Sequence, residues 1–198
     1  MPSAFGVSRP SGGGYGHCVA ISARLQAGET LGDRVMKVDH AGEHGAICIY
    51  RAQIWFARWR APEMVAELES FLAHERQHRA LFGAELARRG RRRCRSFLLC
   101  GLGGFVLGGL TGLAGRRAIA ATTVAIETVV LRHMHEQVET LAIDDPAAAE
   151  TLRAVIADEQ SHHDLSGERL SRPGIWPRLI GPVVEASTEA VIWLGMRL

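Results

Sequence analysis

Six residues carry the pattern in this chain best suited to chemistry. Glu43 is followed 32 positions later by Glu75-x-x-His78, and Glu127 is followed 32 positions later by Glu159-x-x-His162. Each member of the first set therefore recurs 84 positions on, at 127, 159 and 162. A Glu and a His three apart lie on one side of a helix, close enough to hold one ion together. Four carboxylates and two imidazoles suffice for two iron or manganese ions in the core of a four-helix bundle.

The neighbours of the four acids point the same way. Glu75 follows Phe71 and Leu72, Glu159 follows Val155 and Ile156, Glu127 lies between Val124 and Leu131, and Glu43 precedes Ala46 and Ile47, all at helical spacing. Unpaired carboxylates on apolar faces are costly to bury. Divalent ions remove that cost by neutralising them. One E-x-x-H is common by chance, and solvated acids are common on helices. Two copies at one interval, each with its distant Glu, fit neither explanation.

A second motif overlaps the first copy. His74-Glu75-Arg76-Gln77-His78 reads as H-E-x-x-H, the pattern of zinc peptidases, with the histidines on zinc and the Glu as general base. The second half does not repeat it, because Asp158 stands where His74 would recur. Nor is there a downstream H-x-x-G-x-x-H run to supply a third ligand. Among the other histidines, His17, His44 and His135 read as residues without a role at the site. His40, His133 and His163 are candidates for orienting a ligand, with Asp39 and Asp164 as acceptors for histidine N–H groups. Tyr50 lies on the Glu43 face, where a phenol could line an oxygen or substrate pocket or simply pack.

Four long helices must position these residues. Apolar periodicity predicts them at roughly 30–57, 62–89, 117–142 and 146–170, the third with a possible start near 98. Pro62 and Pro146 suit first-turn positions, and Gly90 and Arg172-Pro173-Gly174 suit stops. A further helix is expected at 177–195, broken or offset near Gly181-Pro182. No run of alternating β-branched residues predicts a sheet. The fold class is all-α, and 198 residues with 47% hydrophobic content are enough for one domain with a sizeable core. Residues 1–20, rich in Gly, Pro and Ser, are expected to be a flexible tail without the apolar run of a signal peptide, and 21–198 to be the domain. The four cysteines form no C-x-x-C pair and read as reduced thiols of a cytoplasmic chain.

Charge is gathered although the net is only +2. Arg88, Arg89, Arg91, Arg92, Arg93 and Arg95 crowd together, and then residues 96–115 carry no charge before Arg116-Arg117. A basic collar beside an apolar stretch suits an anionic membrane surface. It lacks the interleaved aromatics that would stack on nucleic-acid bases. The stretch is long enough to cross a bilayer. A crossing would strand Glu127 on the far side from Glu43, so shallow insertion fits better, with a buried core segment as the alternative.

The segments RVMKVDHAGEHGAICIYRAQ (34–53), LAHERQHRALF (72–82), GFVLGGLTGLAG (104–115), TVAIETVVLRHMHEQ (123–137), DEQSHHD (158–164) and the closing AVIWLGMRL together resemble the demethoxyubiquinone hydroxylase family. The resemblance covers about 30–198, and its DHAGE-x-GA-x-x-IY run is specific. It implies a ferritin-like four-helix di-iron bundle with added membrane-associating apolar helices. It also implies a monooxygenase that uses O2 to hydroxylate the ring of a demethoxyubiquinol in ubiquinone biosynthesis. The family's iron ligands match Glu43, Glu75, His78, Glu127, Glu159 and His162, with the positions of Glu75 and Glu159 bridging both irons. It further implies two iron ions per chain, Fe2+ when reduced, and a peripheral site on the cytoplasmic face of the cell membrane. Partners would be a polyprenyl quinone or quinol, other ubiquinone-biosynthesis proteins or a second copy, and no nucleic acid. His133 matches the His of a family His-Tyr pair associated with the quinone, but Met134 takes the Tyr position. Arg95-Ser96 stands where the family has a proline. A ferritin-like iron-oxidising protein is the alternative reading.

Overall fold

The computed structural model describes residues 22–171 and 174–198. The expected tail, with His17 and Cys18, and Arg172-Pro173 lie outside them. Six helices are present among the described residues, with no strand: α1 (Leu31–Arg60), α2 (Val65–Arg88), α3 (Phe97–Ala114), α4 (Arg116–Leu141), α5 (Pro146–Glu168) and α6 (Trp176–Gly195). The start of α1 is set by a reciprocal cap, in which Asp33 N–H donates to Thr30 Oγ1 and Thr30 N–H to Asp33 Oδ2. A one-turn helix at Pro62–Met64 turns the chain into α2. Pro146 opens α5 behind Asp145, whose side chain accepts from Ala148 N–H at 3.2 Å.

The helices form two hairpins, α1/α2 and α4/α5, that face each other. Their ends register through side chains. Arg89 at the end of α2 reaches Asp33 at the start of α1 and Asp145 at the start of α5. Arg169, just past α5, reaches Glu67 at the start of α2. Two apolar layers fill the bundle. One joins Val35, Met36, Phe82, Leu86, Met134, Leu141 and Leu152. The other joins Ile47, Tyr50, Ile54, Phe71, Met64 and Ile119. Glu43, Glu75 and Glu127 fall between these layers in the chain, and Glu159 lies one turn past Val155 of the first. At the foot of α1, the buried Arg34 donates to Glu29 at 2.7 Å and to Gly195 O at 3.1 Å, tying α1 to the end of α6.

Two expectations change. The third predicted helix stands as α4 but does not reach back to 98, because Gly115 has φ +94°, a left-handed conformation that ends a separate helix, α3, and turns the chain into α4. The last helix runs unbroken through Pro182. That proline lacks an N–H, so the carbonyl of Arg178 loses the donor four residues ahead of it, but Arg178 is exposed and water can satisfy it.

The glycine-rich run has two faces. Along one, Gly101, Gly104, Gly108 and Gly112 lie flat on α1, running in its direction. A β-carbon on Gly104 would stand 2.3 Å from Gly45 O, and one on Gly108 2.3 Å from Ile49 O. Small residues at such spacing let two backbones touch. A buried hydrogen bond from Gln53 Nε2 to Thr111 Oγ1, 3.0 Å, locks the pair. The other face exposes Leu98, Leu99, Leu102, Phe105, Val106, Leu110 and Leu113. Among the described residues, α3 is the one helix long and apolar enough to cross a membrane.

Candidate metal centre

The four glutamates and two histidines expected from the repeat converge in the bundle core. They fall into two groups, each able to hold a metal ion: Glu43, Glu75, His78 and Glu159, and Glu75, Glu127, Glu159 and His162. Within a group, one ligand atom per residue lies within 4.8 Å of the others. Glu75 and Glu159 belong to both groups. All six residues are buried. His78 Nδ1 is 3.0 Å from Glu159 Oε1 and 3.8 Å from Glu43 Oε2. His162 Nδ1 is 3.2 Å from Glu159 Oε2 and 3.4 Å from Glu75 Oε1.

Electrostatics make this core unusual for protein alone. Burial, then repulsion from Glu75, pushes the Glu43 carboxyl well above its ordinary range, and burial with Glu159 and Glu75 does the same to Glu127. Burial opposes ionisation of Glu159 too, but His162 and His78 hold it down to about 2. Burial also opposes the charge on His162, yet Glu159 and Glu75 raise it to about 9. The cluster therefore keeps protons that arriving cations would replace. Glu75 Oε1, His78 Nδ1 and His162 Nδ1 are buried and satisfy no hydrogen bond. A donor set of oxygens and imidazole nitrogens with unsatisfied atoms turned inward fits divalent transition metals.

His74 is in neither group. Its Nδ1 lies 3.0 Å from His162 Nε2, on the side of that ring away from the carboxylates. This geometry removes the zinc-peptidase reading, which needs His74 and His78 on one ion. Asp158 does the equivalent for His78, with Oδ2 3.1 Å from Nε2. Sequence reasoning weighed His74 only as a zinc ligand and Asp158 only as the residue that replaces it, although their separation of 84 marks them as one position of the repeat. Tyr50 packs edge-on against Phe71, and its hydroxyl reaches Glu127 Oε1 at 3.5 Å.

The remaining candidates lie elsewhere. His133 Nε2 pairs with Glu189 Oε2 of α6 at 2.9 Å. His163 sits at the surface against Asp164 at 2.9 Å. His40 and His44 stack on Phe97, at 5.3 and 3.9 Å between centroids. Asp39 bonds Gln137 instead of a histidine, and burial raises its carboxyl to about 7. The arginine cluster is also partly committed. Arg88 pairs with Glu85, Arg89 with Glu85 and Asp145, and Arg91 with Asp33 at 2.7 Å. Arg93 lies over the Phe97 ring at 4.6 Å, while Arg92 and Arg95 are exposed. Cys48, Cys94 and Cys100 are free thiols.

A cavity of about 550 Å³ runs from the cluster to the surface. Glu43, Glu75, Glu127 and Glu159 form its inner end. Val130, His133 and Met134 of α4 line it midway, and Leu99, Leu102, Val106 and Leu110 of α3 face Val191 and Ile192 of α6. Nearly all of its remaining wall is apolar.

An all-helical, ferritin-like bundle with a buried carboxylate and imidazole core able to hold metal ions, opening through an apolar cavity, defines the class. Residues 30–195 match the family described as ubiquinone biosynthesis protein COQ7, and the chain belongs to that family. It is 31% identical over 166 residues to the 3-demethoxyubiquinol 3-hydroxylase of Rhodospirillum rubrum, covering 84% of this chain and 78% of that protein. It is 30% identical over 170 residues to the mitochondrial NADPH-dependent 3-demethoxyubiquinone 3-hydroxylase of Dictyostelium discoideum, covering 84% and 77%. The corresponding human protein is 29% identical over 170 residues, with the same coverage.

Proposed function

We propose that this protein is a 3-demethoxyubiquinol 3-hydroxylase, a di-iron monooxygenase of ubiquinone biosynthesis. The observation that carries the reading is the continuous cavity from four buried carboxylates to an apolar mouth, in a chain of this family. Glu43, Glu75, His78, Glu127, Glu159 and His162 would hold two iron ions, with Glu75 and Glu159 shared. Bound iron would supply the electron transfer to O2 that no side chain can perform. The residues of the chain do the rest. The apolar wall admits an aromatic ring and its polyprenyl tail and excludes water. His133, held by Glu189, lines the cavity together with Asp39, Ser187 and Thr188, and can orient a ring oxygen. The balanced reaction takes one ring C–H, one O2, two electrons and two protons to a ring C–OH and one water.

The tail must leave the cavity while the ring stays near the ions. The exposed apolar residues of α3, with Leu179, Val183 and Trp193 of α6, support a peripheral seat on a membrane, which we assign to the cytoplasmic face of the cell membrane. Arg92, Arg93 and Arg95 would lie against anionic headgroups, at about 1 kcal/mol each. Arg91, bound to Asp33, would not.

Iron-loaded protein given reductant and a short-chain demethoxyubiquinol should form hydroxylated product only with oxygen. Under 18O2 one labelled atom should appear in the ring. Product without label sinks the monooxygenase reading. Steady oxidation of many irons into a retained mineral, with no organic product, would favour an iron-handling protein.

A further inference from the structure

The repeat extends past the six core residues to two further pairs of positions. His74 and Asp158 are 84 apart, as are Tyr50 and Met134. The first pair acts alike in space and differs in chemistry. Asp158 stands behind His78, 3.1 Å from Nε2, and His74 stands behind His162, 3.0 Å from Nε2. Each braces the histidine of the opposite hairpin and leaves its Nδ1 turned to the carboxylates. The second pair differs as well. Tyr50 brings a hydroxyl to Glu127, while Met134, buried beside the cavity, has no hydroxyl to offer.

Both groups contain three carboxylates and one imidazole, and they share two of the carboxylates. Their donor sets are therefore the same, and any inequality must come from what stands behind them. A carboxylate that accepts the far N–H of an imidazole makes the near nitrogen a stronger donor than a neutral acceptor does. Hydrogen bonds to an ionised acceptor are roughly twice as strong as neutral ones. A phenol donating to Glu127 draws charge from that oxygen and weakens it as a ligand. Asp158 strengthens the first group, and Tyr50 and His74 leave the second weaker, so the effects add.

We infer that the two halves of the repeat hold unequal ions. The position formed by Glu43, Glu75, His78 and Glu159 binds its divalent cation more tightly than the position formed by Glu75, Glu127, Glu159 and His162. The inference rests on the reading that the core holds two ions. Asp158 and His74 are positioning residues, acting through the histidines they brace. Removing such a partner commonly weakens metal binding by about 10–100-fold.

The test is anaerobic titration of the metal-free full chain with Co2+ alone, followed by its visible absorption and by calorimetry. The wild-type chain should take up two ions in two phases, separated by about tenfold or more. Asp158→Asn should weaken the tighter phase and spare the other. His74→Asp should strengthen the weaker phase and draw the two together. If circular dichroism shows that either variant has lost its helices, Met134→Tyr decides, since it should weaken the tighter phase. Two equal ions in the wild-type chain, or variants that shift both phases alike, overturn the inference. Fewer than two ions in the wild-type chain overturns the two-ion reading instead.

Discussion

Gly103 and Gly104 are adjacent in α3, yet an alanine should act in opposite directions at the two. At Gly103 an added β-carbon meets nothing within 4 Å. Alanine there gains helix propensity and should stabilise the protein by about 0.5–1 kcal/mol. At Gly104 the same atom would stand 2.3 Å from Gly45 O and 3.2 Å from Gly45 Cα, against an ordinary contact of 3.4–4 Å. The obstacle is backbone on both helices, so no side chain can swing aside. The helices must part by roughly an ångström, at a cost of about 1–3 kcal/mol or more for overpacking. The propensity gain offsets only part of this, and the net loss should be about 1–2 kcal/mol. For a protein of this size that is a fall in Tm of roughly 2–8 °C. Urea denaturation of the two variants beside the wild-type protein measures the difference. A Gly104→Ala protein as stable as Gly103→Ala would refute the backbone contact between α1 and α3.

Three further outcomes follow from the geometry. Glu159→Gln should lose both ions, because Glu159 serves both groups, whereas Glu43→Gln should lose one; metal per chain after purification separates the two. Asp145→Asn should cost about 1–3 kcal/mol near neutral pH, the range for a hydrogen bond to a charged group. The Arg89 guanidinium holds the Asp145 carboxyl below its ordinary value of 3.8, so this contribution is full above that pH and is lost as pH falls through the depressed value. Urea midpoints of variant and wild type should therefore converge on acidification, and a gap unchanged at pH 2 would contradict the ion pair. Finally, Leu102→Glu with Val106→Glu should abolish sedimentation with anionic vesicles while leaving thermal stability near the wild-type value, and Arg91→Glu should instead destabilise the fold by breaking its bond to Asp33.

The convergence of the four glutamates and two histidines was legible because the repeat and the helical period agree. Glu75 and His78 can reach the core only if α2 is a helix, and the same holds for Glu159 and His162 in α5. The break at Gly115 was less visible, since apolar periodicity runs through it and a single positive φ leaves no pattern. The role of the glycines was half legible. Composition suggested close packing, but only the structure shows which glycines touch α1 and which side carries the leucines. The arginines misled in part, because charge counted along a chain does not show which carboxylates fold back onto it. Arg89 and Arg91 reach Asp33 across more than fifty residues. His74 and Asp158 were hidden by the question asked of them: both fail as ligands, and their shared office appears only when the opposite hairpins are brought together.

The crossover helix has a consequence for how such a protein can change. Because α3 runs beside α1, α4 descends against it, and the two hairpins meet inverted with their matching residues in register. Topology thus requires some long return segment on the outside of the bundle. Here its surface against α1 is mainly glycine, while Leu99, Leu102, Val106 and Leu110 on its other side line the cavity that ends at the carboxylates. Leu98, Phe105 and Leu113 are exposed and stand outside that cavity wall, so substitutions there leave the carboxylate cluster untouched. A lineage could change the outward surface of α3 through those positions while the inner carboxylates stayed fixed.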